Sequence, residues 1–283
     1  MLSPHERRQV IFTADDFGLS EAVNEGIERA YREGMLSSAS LMVGGAAVED
    51  AVRRAKTMPG LRIGLHVVVI EGPSVLPHAK IPALVDESGF FPSDGMRLGF
   101  RYFFLPEVRR QLRAEIAAQF RAFAETGLRL DHADAHKHMH LHPTIGRMII
   151  DAGFSYGLPA IRIPCEPVDV MAKCGVAPGL GARAMQMWSR VLRRQAEHVG
   201  LIVNDQVFGL AWSGAMTEDR LIELSTKLPD GVTELYFHPA ARPCGEVTRL
   251  MPEYHHVAEL EALCSPRVRE AFATFERVAY GDL

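Results

Sequence analysis

Short apolar runs rich in β-formers alternate along this chain with segments of helical period, and several of the runs stop at carboxylates or imidazoles. Gln9 to Ala14 reads QVIFTA, as expected of a strand buried on both faces, and ends at Asp15 and Asp16. Ser20 offers an N-cap to a helix with apolar Val23, Ile27, Ala30 and Tyr31 on one side, and Gly34 closes it. Ser38 to Val43 reads as the next strand, Ala46 to Lys56 as a helix and Leu61 to Val69 as a third strand. This order is the signature of parallel βαβ units. Further on, Leu130 to His136, Ala160 to Pro164 and Val232 to Phe237 read as strands. Val108 to Phe123, Thr144 to Ala152 and Leu180 to His198 read as helices. Residues 71–106 break the rhythm with Pro, Gly and aromatic residues, which is the composition of a functional loop or lid. The expectation is one α/β domain over residues 1–283, a barrel of alternating strands and helices, closed or slightly distorted, with a loop or lid insertion at 71–106.

Composition supports a single large core, with 47% hydrophobic and 23% charged residues. A net charge of −4 and the lack of a basic stripe argue against nucleic acid. The arginine clusters at Arg109, Arg110 and Arg113 and at Arg190, Arg193 and Arg194 read as solvated helix faces. The polar start, Met1 to Val10, has no secretory-signal pattern, and no apolar run approaches the roughly 18 residues of a membrane span. The four cysteines show neither CxxC spacing nor a disulfide framework, so reduced thiols in the cytoplasm are expected. Oligomeric state is not legible.

Barrels of this kind carry their chemistry at the C-terminal ends of the strands. Asp15, Asp16, His66, Asp134, His136 and His238 all fall at or near such ends. Two adjacent buried carboxylates repel one another unless something positive sits nearby, and a divalent cation would relieve that cost. The same pair could also begin a turn or cap a helix. Asp131 to Pro143 holds five of the chain's twelve histidines. If it stays extended, His132, Asp134, His136, His138 and His140 share one face. Imidazole is a common metal ligand and a neighbouring carboxylate orients it. Spacing leaves His136 and His138 open as the first ligand. His66 alone reads equally as a hydrogen-bonded core histidine, and His238 before Pro239 as a turn.

Four motifs carry a resemblance. Thr13 to Ser20 (TADDFGLS), Gly64-Leu65-His66, Asp134 to His140 (DAHKHMH) and Phe237-His238-Pro239-Ala240 resemble, in order, motifs of the YdjC-like carbohydrate deacetylases. The resemblance implies a distorted, TIM-like (β/α) barrel and hydrolysis of the acetamide of N-acetylated sugars. It implies Asp16, His66 and His136 as ligands of one divalent metal ion, Zn²⁺ or Mg²⁺. It further implies Asp15 as catalytic base, His238 as candidate general acid and Arg162 near the substrate or the base. Asp134, His138 and His140 would bind substrate or support the ligands. Lys137 stands where members often have a third histidine, with its side chain expected to point away from the ligand face.

The N-terminal half and the YHHVAELEAL ending are similar to the branch associated with hopanoid biosynthesis. That implies an N-acetylglucosaminyl hopanoid as substrate, with a chitooligosaccharide such as diacetylchitobiose as the soluble alternative. Residues 90–105, with Met185, Met187 and Trp188, could meet such a lipid or a membrane, or could simply pack. A metal-independent glycoside hydrolase with two catalytic carboxylates, or a non-catalytic sugar-binding protein, are the other classes compatible with these residues.

Overall fold

The protein is described here by a computed structural model over residues 8–177 and 179–283. Residues 1–7, most of the polar stretch at the start, lie outside the described residues. The elements run β1 (Arg8–Phe17), α1 (Glu21–Glu33), β2 (Ser38–Leu41), α2 (Val48–Ala55), β3 (Arg62–Val67), α3 (Gly95–Phe104), α4 (Pro106–Glu125), β4 (Leu130–Ala135) and α5 (Pro143–Phe154). They continue with α6 (Val168–Lys173), α7 (Leu180–His198), β5 (Gln206–Phe208), α8 (Glu218–Ser225), β6 (Gly231–Phe237), α9 (Gly245–Leu250), α10 (His256–Cys264), α11 (Pro266–Ala271) and β7 (Glu276–Arg277).

The strands pair in parallel in the order β4-β3-β2-β1-β6-β5, with β7 added to the start of β1. Single bridges from Ala133 to Ile161 and from Ala160 to Ile202 carry the curl onward from β4, toward the segment that leads into β5. The result is a distorted TIM-like (β/α) barrel. β1 lies at its centre, and Ile11, Phe12 and Ala14 are wholly buried, as a strand covered on both sides requires. Helix α1 begins where expected: the Ser20 hydroxyl accepts from the Val23 amide, and Gly34 ends it.

Three departures from the expected elements have physical causes. The strand expected at 160–164 is reduced to two single bridges, because Pro159 and Pro164 at its ends donate no backbone hydrogen bond. Strands β5 and β7 have three and two residues, too few for a period to show. Residues 71–106 contain α3 and a 3₁₀ turn at His78–Lys80, and α4 pins them down. The Glu115 carboxylate accepts from the Val75 and Leu76 amides, and the Gln111 side chain accepts from the Ala83 amide. Tyr102, wholly buried, donates to the Val69 carbonyl.

One glycine is dictated by the barrel interior. A Cβ at Gly64 on β3 would meet the His132 ring at 2.4 Å. That ring cannot yield: Ser40 and Asp131 bond its two nitrogens, and it stacks on Tyr280 with 4.9 Å between centroids. Gly64→Ala is therefore expected to lower unfolding free energy by about 1–3 kcal/mol, the usual cost of overpacking. Denaturant titration measures it, and an unchanged midpoint would mean that the ring has room to move.

Candidate metal centre

The chain leaves β1 through an unusual backbone. Asp16 has φ 64°, a left-handed conformation costly for a residue with a side chain, and such strain collects at functional sites. The turn aims its carboxylate across the barrel mouth at two imidazoles. His136 Nδ1 lies 3.2 Å from Asp16 Oδ1, and His66 Nε2 lies 3.4 Å from the same oxygen. Donor atoms of Asp16, His66 and His136 all fall within 4.8 Å of one another, and all three residues are buried.

The donors are poorly served by the protein itself. Both Asp16 oxygens and His136 Nε2 are buried with no hydrogen-bond partner among the described residues. Buried polar groups almost always find partners, so a carboxylate left orphaned beside two imidazoles fits an ion. His66 is oriented for this role by Asp134, whose Oδ1 sits 2.8 Å from His66 Nδ1 and leaves Nε2 facing Asp16 and His136. Burial opposes charge on Asp16, yet contact with His136 and the nearby His238 and His66 outweighs it and holds the carboxyl below its usual range. Burial likewise opposes charge on His66, but Asp134, Asp15 and Asp16 raise it to about 9. One carboxylate and two imidazoles can hold a divalent cation and leave positions open.

Beneath this triad lies a buried charge network around Arg162, which is 0% exposed. Arg162 donates to both oxygens of Asp15 at 2.8 Å, and its Nη1 lies 2.6 Å from Asp134. Along the adjacent edge Glu234 accepts from Nε at 3.0 Å and Nη2 at 2.8 Å. Thr13 and Tyr280, each 2.6 Å away, also donate to Glu234. Burial raises Asp15 to about 6 even though Arg162 pulls it down, and the Asp134 charge adds to the rise. For Asp134, burial is overcome by Arg162 and His66, and its carboxyl stays well below the usual range.

The histidine cluster does not stay extended. β4 ends at Ala135, and His136 to Leu141 coil into 3₁₀ turns with Lys137 and His138 at φ 51° and 54°. The expected shared face is thus broken after His136, and the turn separates the two candidates that spacing left open. His136 faces Asp16, whereas His138 turns to Tyr236, with Nε2 3.1 Å from its hydroxyl. His140 lies beneath, its Nε2 3.1 Å from the Arg162 carbonyl. The left-handed turn also redirects Lys137, which lines the pocket and pairs with Glu71 rather than pointing away.

His238 lines the same pocket and is 8% exposed. Its amide donates to Glu259 Oε2 at 2.5 Å, its carbonyl meets His256 Nδ1 at 2.6 Å, and its own Nδ1 has no hydrogen-bond partner among the described residues. Burial pushes His238 down to about 3, so it is neutral at rest. The cavity they surround is about 330 Å³ and is completed by Met185, Leu210, Ser213, Tyr236, Met251 and Tyr254.

Sequence reasoning missed Glu234, Glu259, Tyr280, Tyr236 and Tyr254. Glu234 alone carried a signal, a carboxylate within the buried run GVTELYF. The tyrosines carried none, since their roles depend on which segments meet across the barrel.

The YdjC-like protein family matches residues 9–274 of this chain. The chain belongs to that family. A carbohydrate deacetylase of Geobacillus stearothermophilus is 34% identical over 235 residues, which span 82% of this chain and 80% of that protein. One from Brevibacillus brevis is 38% identical over 156 residues, spanning 55% of this chain and 59% of that relative. Among solved structures, an Enterococcus faecalis V583 protein named for cellobiose-phosphate cleavage superposes with a TM-score of 0.74, covers 98% of both chains and is 22% identical. That likeness extends the fold of this YdjC-like chain over its whole length.

Proposed function

We propose that this chain hydrolyses the acetamide of an N-acetylated amino sugar, releasing acetate and the free amine, with Asp16, His66 and His136 holding one divalent cation. Its class, a carbohydrate deacetylase and hence a hydrolase, is that of its family relatives. The observation that carries the reading is the buried Asp16 carboxylate, orphaned among the described residues, with Oδ1 3.4 Å from His66 Nε2 and 3.2 Å from His136 Nδ1, beside a carboxylate clamped by Arg162. When bound, the cation would act as a Lewis acid toward the acetyl carbonyl and lower the pKa of water, and Zn²⁺ and Mg²⁺ both remain within its chemistry.

The protein's own groups would do the rest. Asp15, its two oxygens fixed by Arg162, would accept the proton of the attacking water. As the C–N bond breaks, the leaving nitrogen needs a proton, and His238, which lines the same cavity as Asp15, would deliver one. Because burial keeps His238 neutral, it must first take up a proton during turnover. Asp134 would hold His66, His140 would steady the Arg162 backbone, and His138 with Tyr236 would bind the sugar.

For the group behind the sugar we propose a hopanoid, an apolar polycyclic aglycone. A chamber of about 280 Å³ lined by Pro164, Val168, Met171 and Val176 supports this, since it shares Met185 and Leu210 with the catalytic cavity. We further propose that the whole chain is one deacetylase domain with residues 71–106 as its insertion, and that it works in the cytoplasm.

Acetate release from the N-acetylglucosaminyl hopanoid and from diacetylchitobiose, each with and without chelator, tests the proposal. Chelator-sensitive release from the hopanoid glycoside is expected. Release from the chitooligosaccharide alone would keep the chemistry and remove the lipid. Cleavage of a glycosidic bond that survives chelation would replace the deacetylase with a glycoside hydrolase, and cation binding without any turnover would leave a sugar-binding protein.

A further inference from the structure

Helices α3 and α7 put large apolar side chains into solvent. On α3, Met96 is 89% exposed, Phe100 61%, Phe103 46% and Phe104 58%. On α7, Met187 is 55% and Trp188 39% exposed. Scattered single exposures need no explanation, but rows of this kind do.

Both rows stand at the mouth end of the barrel. His142 immediately precedes α5 and follows the turn after β4, and it touches α3 twice: its Nε2 lies 3.1 Å from the Gly99 carbonyl, and its ring is 5.9 Å from that of Phe103. On the other flank of α5, a Cβ at Gly146 would meet Leu192 of α7 at 2.8 Å. Met185, one turn before Trp188, lines the catalytic cavity itself.

The charge on these two helices is one-sided. α3 carries Arg97 and Arg101 and no acidic residue. α7 carries Arg183, Arg190, Arg193 and Arg194 against Glu197 alone, in a chain of net charge −4. Arg183, Met187, Arg190 and Arg194 follow at spacings of four, three and four, so arginines and the exposed methionine share one stripe. Apolar and aromatic side chains interleaved with cations on an acid-poor helix face are the composition of a surface that lies in a lipid interface: rings enter the headgroup region and guanidiniums meet anionic headgroups. The arginine cluster read from sequence as a solvated face therefore has a second use.

We infer that the exposed faces of α3 and α7 dock this protein on an anionic lipid bilayer, with the mouth of the barrel near the membrane. The inference rests on the surface and not on the substrate. Its test reads binding without catalysis, so it can fail while the deacetylase reading stands, and the reverse.

The test is flotation of the full chain with vesicles of phosphatidylcholine alone or mixed with phosphatidylglycerol, over a range of salt. Binding to the phosphatidylglycerol vesicles, weakening with salt, is expected. Phe100→Ser with Phe103→Ser and Phe104→Ser, or Arg183→Glu with Arg190→Glu, should each cut partitioning by about tenfold or more. Trp188 gives a readout that needs no altered surface. The other tryptophan, Trp212, is only 9% exposed, so brominated acyl chains should quench Trp188 in the unaltered protein and not in Trp188→Phe. Absence of vesicle binding, binding indifferent to phosphatidylglycerol, or unquenched fluorescence in bound protein would overturn the inference. So would a concentration-dependent dimer abolished by the Phe substitutions without lipid binding, which would assign the patch to a second copy of the chain.

Discussion

Arg162→Met is expected to destabilise the protein by about 3–5 kcal/mol at neutral pH, the cost of removing one partner from a buried ion cluster. Methionine nearly fills the volume, so packing is not the issue. The guanidinium is 0% exposed and is the only cation shared by Asp15, Asp134 and Glu234 among the described residues. Without it these carboxylates are buried beside one another and would be ionised only at great cost.

The sign of the pH dependence separates this explanation from a packing defect. In the native protein Asp134 and Glu234 are held below their usual range, chiefly by Arg162 against the opposing effect of burial. Carboxylates depressed in the folded state contribute stability above their unfolded pKa and lose it as pH falls. In Arg162→Met the same groups would be raised, and stability would be lost as pH rises instead. The two stability curves should converge as pH is lowered from about 8 toward 5, read from denaturant midpoints. Parallel curves would mean that the cluster is not what the arginine supports. Arg162→Lys should recover only part of the loss, because an ammonium cannot serve two carboxylates with paired bonds.

The half of this architecture nearest the N-terminus was legible because it is built from long periodic pieces. QVIFTA, the capped helix after Ser20 and the glycine at Gly34 each state locally what the fold does with them. Asp15, Asp16, His66 and His238 were findable for a related reason, since each follows an apolar run and parallel strands bring such ends to one mouth. The histidine tract was legible as far as His136, where the expected strand ends. Alternation predicts a shared face only while the backbone is extended, and nothing in DAHKHMH announces left-handed residues at Lys137 and His138. Glu234, Tyr280 and Glu259 stayed hidden because their roles depend on which elements meet across the barrel. Tyr280 reaches the Arg162 network from a terminal 3₁₀ turn whose place depends on the short strand β7.

Asp15→Asn should lower the rate of deacetylation by about 10²–10⁴-fold, the span of a lost general base, with the loss in kcat rather than KM. Cation uptake should survive, because Asp16, His66 and His136 are untouched and Asn retains the volume of Asp. Stability should move by less than about 1 kcal/mol, because two effects offset one another. The substitution removes a carboxylate that burial holds at about 6, whose ionisation above its unfolded pKa costs stability. It also costs Arg162 one acceptor, because Asn keeps a single oxygen, and takes the charge from the other bond. Asp16→Asn should behave in the opposite way, losing the cation together with activity. The decisive comparison is therefore metal content, unfolding midpoint and acetate release on the two variants side by side. An Asp15→Asn protein that keeps more than a tenth of its activity would remove Asp15 as the base. One that folds but no longer takes up the cation would move Asp15 into the ligand set, and the second cluster at the site, Asp15 with His66 and Asp134, would become the metal centre instead.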